Sequence, residues 1–326
     1  MSRIYEALRR ADLERKAQLG AEPPPASEEA IHSEFTGHQP ALANVQRLTE
    51  AQTLTEAPAL ADVMTDEAPS RAWEPVVDAI PCLHERGAVV EQFRGLRSKL
   101  TQARQEAAIK SILISSGMPS EGKSFVTMNL AVSLAREGVN RVLLIDGDLR
   151  RPTLHTLLGT TNTPGLSEYL AGTAEISAIL QQPQSVQRDE TEFGHVFENL
   201  TFIPSGASSE SSSELVANGR MQGLLATLAP HFDWILIDSP PVLAVTDAVD
   251  LALNCDGVLL VAREARTPYK VAQRAQAAFK QSRLLGVVLN AAKHIQKNGY
   301  YYYSYYYGAA ESPSKNKRRN EKRSHG

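Results

Sequence analysis

From residue 111 onward the chain alternates short, unbroken apolar runs with longer amphipathic stretches. Ser111–Ser115, Arg141–Asp146, Leu200–Pro204, Trp234–Asp238, Gly257–Val261 and Gly286–Asn290 read as strands. Glu91–Ala107, Ser124–Arg136 and Glu214–Leu228 read as helices, with further helices between the later strands. A strand that faces water on one side alternates apolar with polar residues, and these runs do not. They are apolar throughout, as strands of a parallel sheet covered by helices on both faces must be. The pattern therefore predicts a doubly wound α/β domain with a mostly parallel sheet, about 200 residues long.

The flanks lack this pattern. Residues 1–19 predict a charged helix in which Ile4, Leu8 and Ala11 share a narrow face. Residues 20–80 are rich in Ala, Ser, Thr, Glu and Pro and poor in basic residues, a composition that cannot bury enough apolar surface to offset chain ordering. We read them as a disordered acidic linker, residues 81–296 as the domain, and residues 297–326 as a disordered tail. In that tail, seven of the ten tyrosines fall within eight positions, Tyr300, Tyr301, Tyr302, Tyr303, Tyr305, Tyr306 and Tyr307. A basic run, Lys315 to Arg323, follows.

Charge and cysteine content narrow the class of partner. A formal net charge of -3 gives no electrostatic footprint for nucleic acid. Two cysteines, Cys82 and Cys255, stand far apart in no metal-like spacing, which fits a reducing, cytoplasmic setting. The N-terminus has no apolar signal core, and no stretch of eighteen uncharged apolar residues occurs. Any attachment to a membrane is expected to run through a partner.

The chemistry gathers at three strand ends. Gly117, Met118, Pro119, Ser120, Glu121, Gly122, Lys123 and Ser124 follow the first strand and precede a helix, in the form G-x-x-x-x-G-K-[ST]. Backbone N–H groups of such a loop and the helix dipole attract phosphate, Lys123 reaches the β- and γ-phosphates, and the Ser124 hydroxyl binds Mg²⁺. Phe125 completes the expected nucleotide contacts. Asp146 and Asp148 end a second apolar strand, and Asp238 ends a third. Ligands of open α/β sheets sit beyond the carboxyl ends of strands, so all three acids should face the loop. Asp238 suits the metal-holding role, with Asp148 assisting with the metal, and Asp146 suits the orientation or deprotonation of a nucleophile. The expected sets are Lys123, Asp146 and Asp148 for catalysis, Ser124, Asp146 and Asp238 for Mg²⁺, and ATP as the nucleotide.

The segments SSGMPSEGKS, LLIDGDLRRP and ILIDSPP together resemble the bacterial protein-tyrosine kinases of capsular and exopolysaccharide systems, over about residues 85 to 308. Within that family the chain is most similar to the soluble kinase chain that is separate from its membrane partner. The resemblance implies a P-loop NTPase fold of the MinD/ParA-like deviant-Walker type. It implies autophosphorylation of the tyrosine cluster in trans, and a ring-like homo-oligomer held through Glu91, Arg94 and Arg97, which match E-x-x-R-x-x-R. It implies adenine contact by Asn290 with Arg263 nearby. It also implies activation by the cytoplasmic tail of a chain-length-determinant membrane protein at the inner face of the plasma membrane, and reversal by a phosphotyrosine phosphatase. Two positions depart from the family's pattern: Ser120 stands where Gly is usual, and Ala207 to Ser213 is serine-rich where a proline-rich segment is usual.

Two other readings compete. A MinD/ParA-like positioning or partition ATPase shares the fold and the aspartate strands, but usually carries an extra lysine early in the loop, where this chain has Met118, and lacks a tyrosine tail. An ATP-binding interaction module without catalysis would not need all the phosphate-site residues that are present.

Overall fold

A computed structural model describes residues 70–184, 194–208 and 212–292. In chain order these form β1 (Ser70–Arg71), α1 (Ala88–Glu106), β2 (Ser111–Ser116), α2 (Lys123–Ala135), β3 (Val142–Asp146), α3 (Leu154–Leu158), α4 (Leu166–Ala171), α5 (Ile176–Ile179), β4 (Gln182–Pro183), α6 (Gly194–Phe197) and β5 (Leu200–Ile203). Then follow α7 (Ser212–Ala217), α8 (Arg220–Leu228), β6 (Trp234–Asp238), α9 (Asp247–Ala252), β7 (Gly257–Arg263), α10 (Tyr269–Ala278) and β8 (Leu284–Asn290).

The main sheet runs β5-β3-β6-β2-β7-β8, with every pairing parallel. Each central strand divides its side chains between two cores with a period of two. Ile112, Ile114, Val142, Leu144 and Leu236 face one core, with Met128 and Leu130 of α2. Leu113, Leu143, Ile145, Ile235 and Ile237 face the other, with Leu224 and Leu228 of α8. Both faces are covered, which is why the strands read as unbroken apolar runs. Helix α2 lies so deep that every residue from Val126 to Ala135 is buried.

The helix expected over Glu214–Leu228 is two helices, α7 and α8. Gly219 between them adopts φ 81, a left-handed conformation that ends a helix at little cost to glycine. The Asn218 side chain then accepts a hydrogen bond from the Arg220 N–H at 3.0 Å, satisfying the first donor of α8.

The ordered fold also begins earlier than residue 81. Residues 70–80, read from composition as the end of the linker, pack onto the domain. β1 pairs in parallel with β4, and the Val76 N–H donates to the Leu157 carbonyl at 2.9 Å. Trp73 is buried edge-on against Phe197 and Phe202, at centroid distances of 5.6 and 6.5 Å. Ile80 is completely buried. A buried Trp carries enough apolar area to anchor a strap of otherwise polar chain. We expect Trp73→Ala to lower stability by about 3–5 kcal/mol, measured by urea unfolding. A change below about 1 kcal/mol would show that the strap does not belong to the cooperative unit.

Candidate active site

The carboxyl ends of β2, β3 and β6 meet at one crevice. Strand register sets Asp146 directly beside Asp238, and Asp238 beside Ile114 of β2, just before the phosphate loop. The loop closes with Gly122 at φ 91, and α2 starts at Lys123. A side chain at Gly122 is disfavoured by that backbone angle, and its Cβ would also have to displace the Asn290 amide, whose Nδ2 would lie 2.0 Å away.

A cleft of about 500 Å³ opens above the crevice. Pro119, Ser120, Gly122, Lys123, Ser124 and Phe125 form its loop wall. Asp148, Arg150, Arg151 and Thr153 form the facing wall, and the segment from Pro240 to Val245 supplies an apolar side. Lys123 Nζ lies 3.1 Å from Asp148 and 3.5 Å from Asp238. Ser124 Oγ donates to Asp238 Oδ2 at 2.5 Å, and Thr127 Oγ1 is 3.3 Å from Asp238 Oδ1. Asp146 is set below the cleft. It accepts from the backbone N–H groups of Thr153 and Leu154 at 3.0 and 2.9 Å and from that of Asp148 at 3.2 Å.

Two carboxylates thus contact one ammonium, and a third, Asp146, lies close enough to feel its charge. Burial pushes the Asp146 carboxyl up to about 7, and neighbouring Asp238 adds to the rise against the pull of the Leu154 and Thr153 N–H groups and Lys123. Asp238 is also raised, first by burial, with Lys123 and Ser124 opposing. Burial alone would lower the Lys123 ammonium, but Asp238 and Asp148 raise it on balance. A hard cation with oxygen ligands fits this surplus of buried negative charge, and Ser124, Asp146 and Asp238 are the residues that would hold Mg²⁺. Among the described residues no group of three His, Cys, Asp or Glu side chains converges as a metal cage. Mg²⁺ bound through one or two carboxylates and substrate phosphates needs none.

Other expected site residues take less simple places. Arg263 Nη1 donates to the Ser120 carbonyl at 3.0 Å and Asn290 Nδ2 to the Glu121 carbonyl at 2.9 Å, so both touch the phosphate loop itself. Glu91 and Arg94 pair with each other on the exposed face of α1. Arg97 instead turns inward onto its own chain, donating to the Ser133 carbonyl at 2.7 Å and pairing with Glu137 at 2.9 Å. Three residues fall about 60° short of a full helical turn, so two such steps carry Arg97 away from the Glu91 face. Arg97 therefore lies off the face on which Glu91 and Arg94 pair. Tyr300–Tyr307 and the N-terminal helix lie outside the described residues.

Ser120 has φ 63, a left-handed angle that glycine adopts freely and serine does not. We expect Ser120→Gly to raise stability by roughly 0.5–1 kcal/mol, because relief of strain exceeds the extra freedom gained by the unfolded chain. Paired urea curves would read this; a destabilisation would mean that the Ser120 side chain contributes contacts worth more than the strain.

One constellation had no signal in the sequence. Arg150 Nε lies 3.2 Å from Asp247 Oδ2, while Ser212 and Ser213 donate to the same carboxylate at 2.7 and 2.5 Å. Burial would raise Asp247, but Ser213, Ser212 and Arg150 outweigh it and hold the carboxyl below its usual range. The serine-rich segment thus fixes an arginine on the cleft wall through α9.

Comparison with known proteins agrees with this geometry. The family model described as "ParA: NUBPL iron-transfer P-loop NTPase" matches residues 108–319. Tyrosine-protein kinase YwqD of Bacillus subtilis is 34% identical over 215 residues, which cover 65% of this chain and 85% of that protein. The chain belongs to the bacterial protein-tyrosine kinase family. Another member of that family, tyrosine-protein kinase wzc of Salmonella typhimurium, is 36% identical over 218 residues, but the match spans only 28% of its length. The kinase domain of Escherichia coli tyrosine kinase ETK superposes with a TM-score of 0.56 at 32% identity, over 64% of this chain and 78% of that one. Family membership brings the P-loop NTPase fold with it, and the parallel six-stranded sheet is that fold. Among the described residues no helix is long and apolar enough to cross a membrane.

Proposed function

We propose that the chain is an ATP-dependent protein-tyrosine kinase that phosphorylates its Tyr300–Tyr307 cluster in trans within a homo-oligomer. The observation that carries this reading is the convergence of Lys123, Ser124, Asp148 and Asp238 on one cleft, with Asp146 directly beneath. The loop backbone and Lys123 bind the triphosphate, and Lys123 offsets charge that develops on the transferring group. Bound Mg²⁺ supplies further charge neutralisation at the phosphate oxygens. Asp146, whose proton affinity lies near neutrality, is suited to accept the phenol proton, and Asp148 on the cleft wall orients the hydroxyl. The apolar side from Pro240 to Val245 suits an aromatic ring better than it suits water.

Phosphorylation adds nearly two negative charges per tyrosine, and several in one cluster repel each other and the acidic site. The modified tail therefore leaves. Family resemblance supports the wider setting: recruitment to the inner face of the plasma membrane by the cytoplasmic tail of a chain-length-determinant protein, reversal by a phosphotyrosine phosphatase, and control of capsule or exopolysaccharide polymerisation and export. The test is to incubate the full chain with Mg-ATP, with and without an activating partner segment, and to map phosphate by mass spectrometry. Absence of phosphotyrosine from residues 300–307 in both conditions would sink the reading.

A further inference from the structure

Glu121 is an anomaly. It is an acidic residue inside a loop whose ligand is a polyanion, and it is 2% exposed. A carboxylate there opposes the ligand's charge unless it is used to shape the loop. Its two oxygens are both engaged. Oε2 accepts from the Met118 N–H at 2.7 Å, which closes the first half of the loop on itself. Oε1 accepts from the Thr267 hydroxyl, which is buried in the turn between β7 and α10. Thr267 Oγ1 in turn accepts from the Arg263 N–H at 2.8 Å. The same turn is bonded to the end of β8, since the Glu264 N–H donates to the Asn290 carbonyl at 2.9 Å. Arg263 and Asn290 return to the loop through the carbonyls of Ser120 and Glu121.

We infer that Glu121 and Thr267 are positioning residues that set the phosphate loop for its ligand, an inference that rests on nucleotide binding by this loop. Glu121 acts as an internal strut, and Thr267 fixes that strut to the sheet. The pair spans 146 residues of sequence. Hydrogen bonds to a buried carboxylate are charge-assisted and directional, so losing one leaves a charged oxygen unpaired and lets the loop shift. Phosphate oxygens are gripped by backbone N–H groups whose positions depend on that loop, so a small displacement is costly.

The experiment measures Mg-ATP binding to the full chain by titration calorimetry, with no turnover required. Thr267→Val removes the hydroxyl at nearly constant shape and should weaken Mg-ATP about ten-fold. Thr267→Ser restores the hydroxyl and should bind within about two-fold of wild type. Equal binding by wild type and Thr267→Val overturns the inference, as does equal weakening by the Val and Ser variants, which would assign the effect to packing. If Thr267→Val does not fold, the Glu121 pair decides. Glu121→Ala should lose about ten-fold or more, while Glu121→Gln, which can still bond both partners, should remain within about three-fold. Equal binding by these two variants overturns the inference. Wild-type protein that binds no Mg-ATP ends both this inference and the kinase reading. Wild-type protein that binds Mg-ATP and forms no phosphotyrosine ends only the latter.

Discussion

Lys123→Met should reduce phosphotyrosine formation on the purified chain by at least about 100- to 1,000-fold, the range expected when one group that stabilises transition-state charge is removed. The geometry predicts a second effect that a purely catalytic residue would not show. Lys123 lies against both Asp148 and Asp238 and keeps Asp238 lower than burial would leave it. Without the ammonium, Asp238 rises further above its unfolded value. A carboxyl raised in the folded state makes that state take up protons, so the stability it permits at low pH is lost as pH climbs through the folded pKa. Lys123 also lowers Asp146, whose folded pKa is about 7, so the variant should lose more thermal stability at pH 8 than at pH 6, relative to wild type. Equal loss at both pH values would show that Lys123 does not hold the buried acids in check. Phosphorylation that persists in the variant would point to a contaminating kinase.

The parts of this site that could be read in advance are those written in consecutive residues. The phosphate loop is a run of eight. Asp146 and Asp238 each end a strand whose unbroken apolar character announces burial, and the topology of a doubly wound sheet brings strand ends together without further information. What could not be read is made of residues brought together only by folding. Asp247 meets Ser212 and Ser213 across 35 and 34 positions and Arg150 across 97. Each is an ordinary surface-type residue in its own segment. Thr267 gives no local sign that its hydroxyl reaches Glu121.

The fold shows the same division. Trp73 was hidden because composition averages over a window, and one aromatic side chain among Ala, Pro and Glu does not alter the average. Its burial depends on Phe197 and Phe202, more than a hundred residues away. Helices α3, α4 and α5 have four to six residues each, too short for a helical period to appear. Arg97 illustrates a different limit: a three-residue step drifts around the helix, and α2 lies where the drift leads.

The network around Asp247 gives the serine-rich segment a physical task. In place of proline stiffness, Ser212 and Ser213 provide two hydroxyls that hold one carboxylate, and that carboxylate holds Arg150 at the cleft. Together with the strut at Glu121, this means both walls of the cleft are braced from behind: the loop wall from the β7–α10 turn, the facing wall from α9. The reacting groups stand on supports that do not themselves react, as accurate placement requires.

Asp146→Asn should separate activity from stability in opposite directions. Activity should fall at least about 100-fold, since the amide cannot take the phenol proton. Stability should rise at pH 8. The sign follows from linkage. Asp146 has a folded pKa of about 7, above the usual carboxylate value, because it is buried beside Asp238. Between about pH 4 and 7 the folded state binds more protons than the unfolded chain, so stability falls with rising pH across that window and is lowest above it. Asparagine carries no charge and removes this penalty. It also keeps one oxygen to accept from Thr153 and Leu154, while the Asp148 N–H loses its acceptor. The net gain at pH 8 should be on the order of 1–3 kcal/mol, read from urea unfolding without nucleotide or metal. At pH 5 wild-type Asp146 is already protonated and the gain should vanish or reverse. A gain that is the same at pH 5 and pH 8 would refute the assignment of a buried, proton-hungry carboxyl at Asp146. A variant both less active and less stable at pH 8 would mean that its hydrogen bonds to the loop after β3 outweigh the burial of its charge. The expected trade of stability for activity places Asp146 among residues kept in an unfavourable setting for the chemistry they perform.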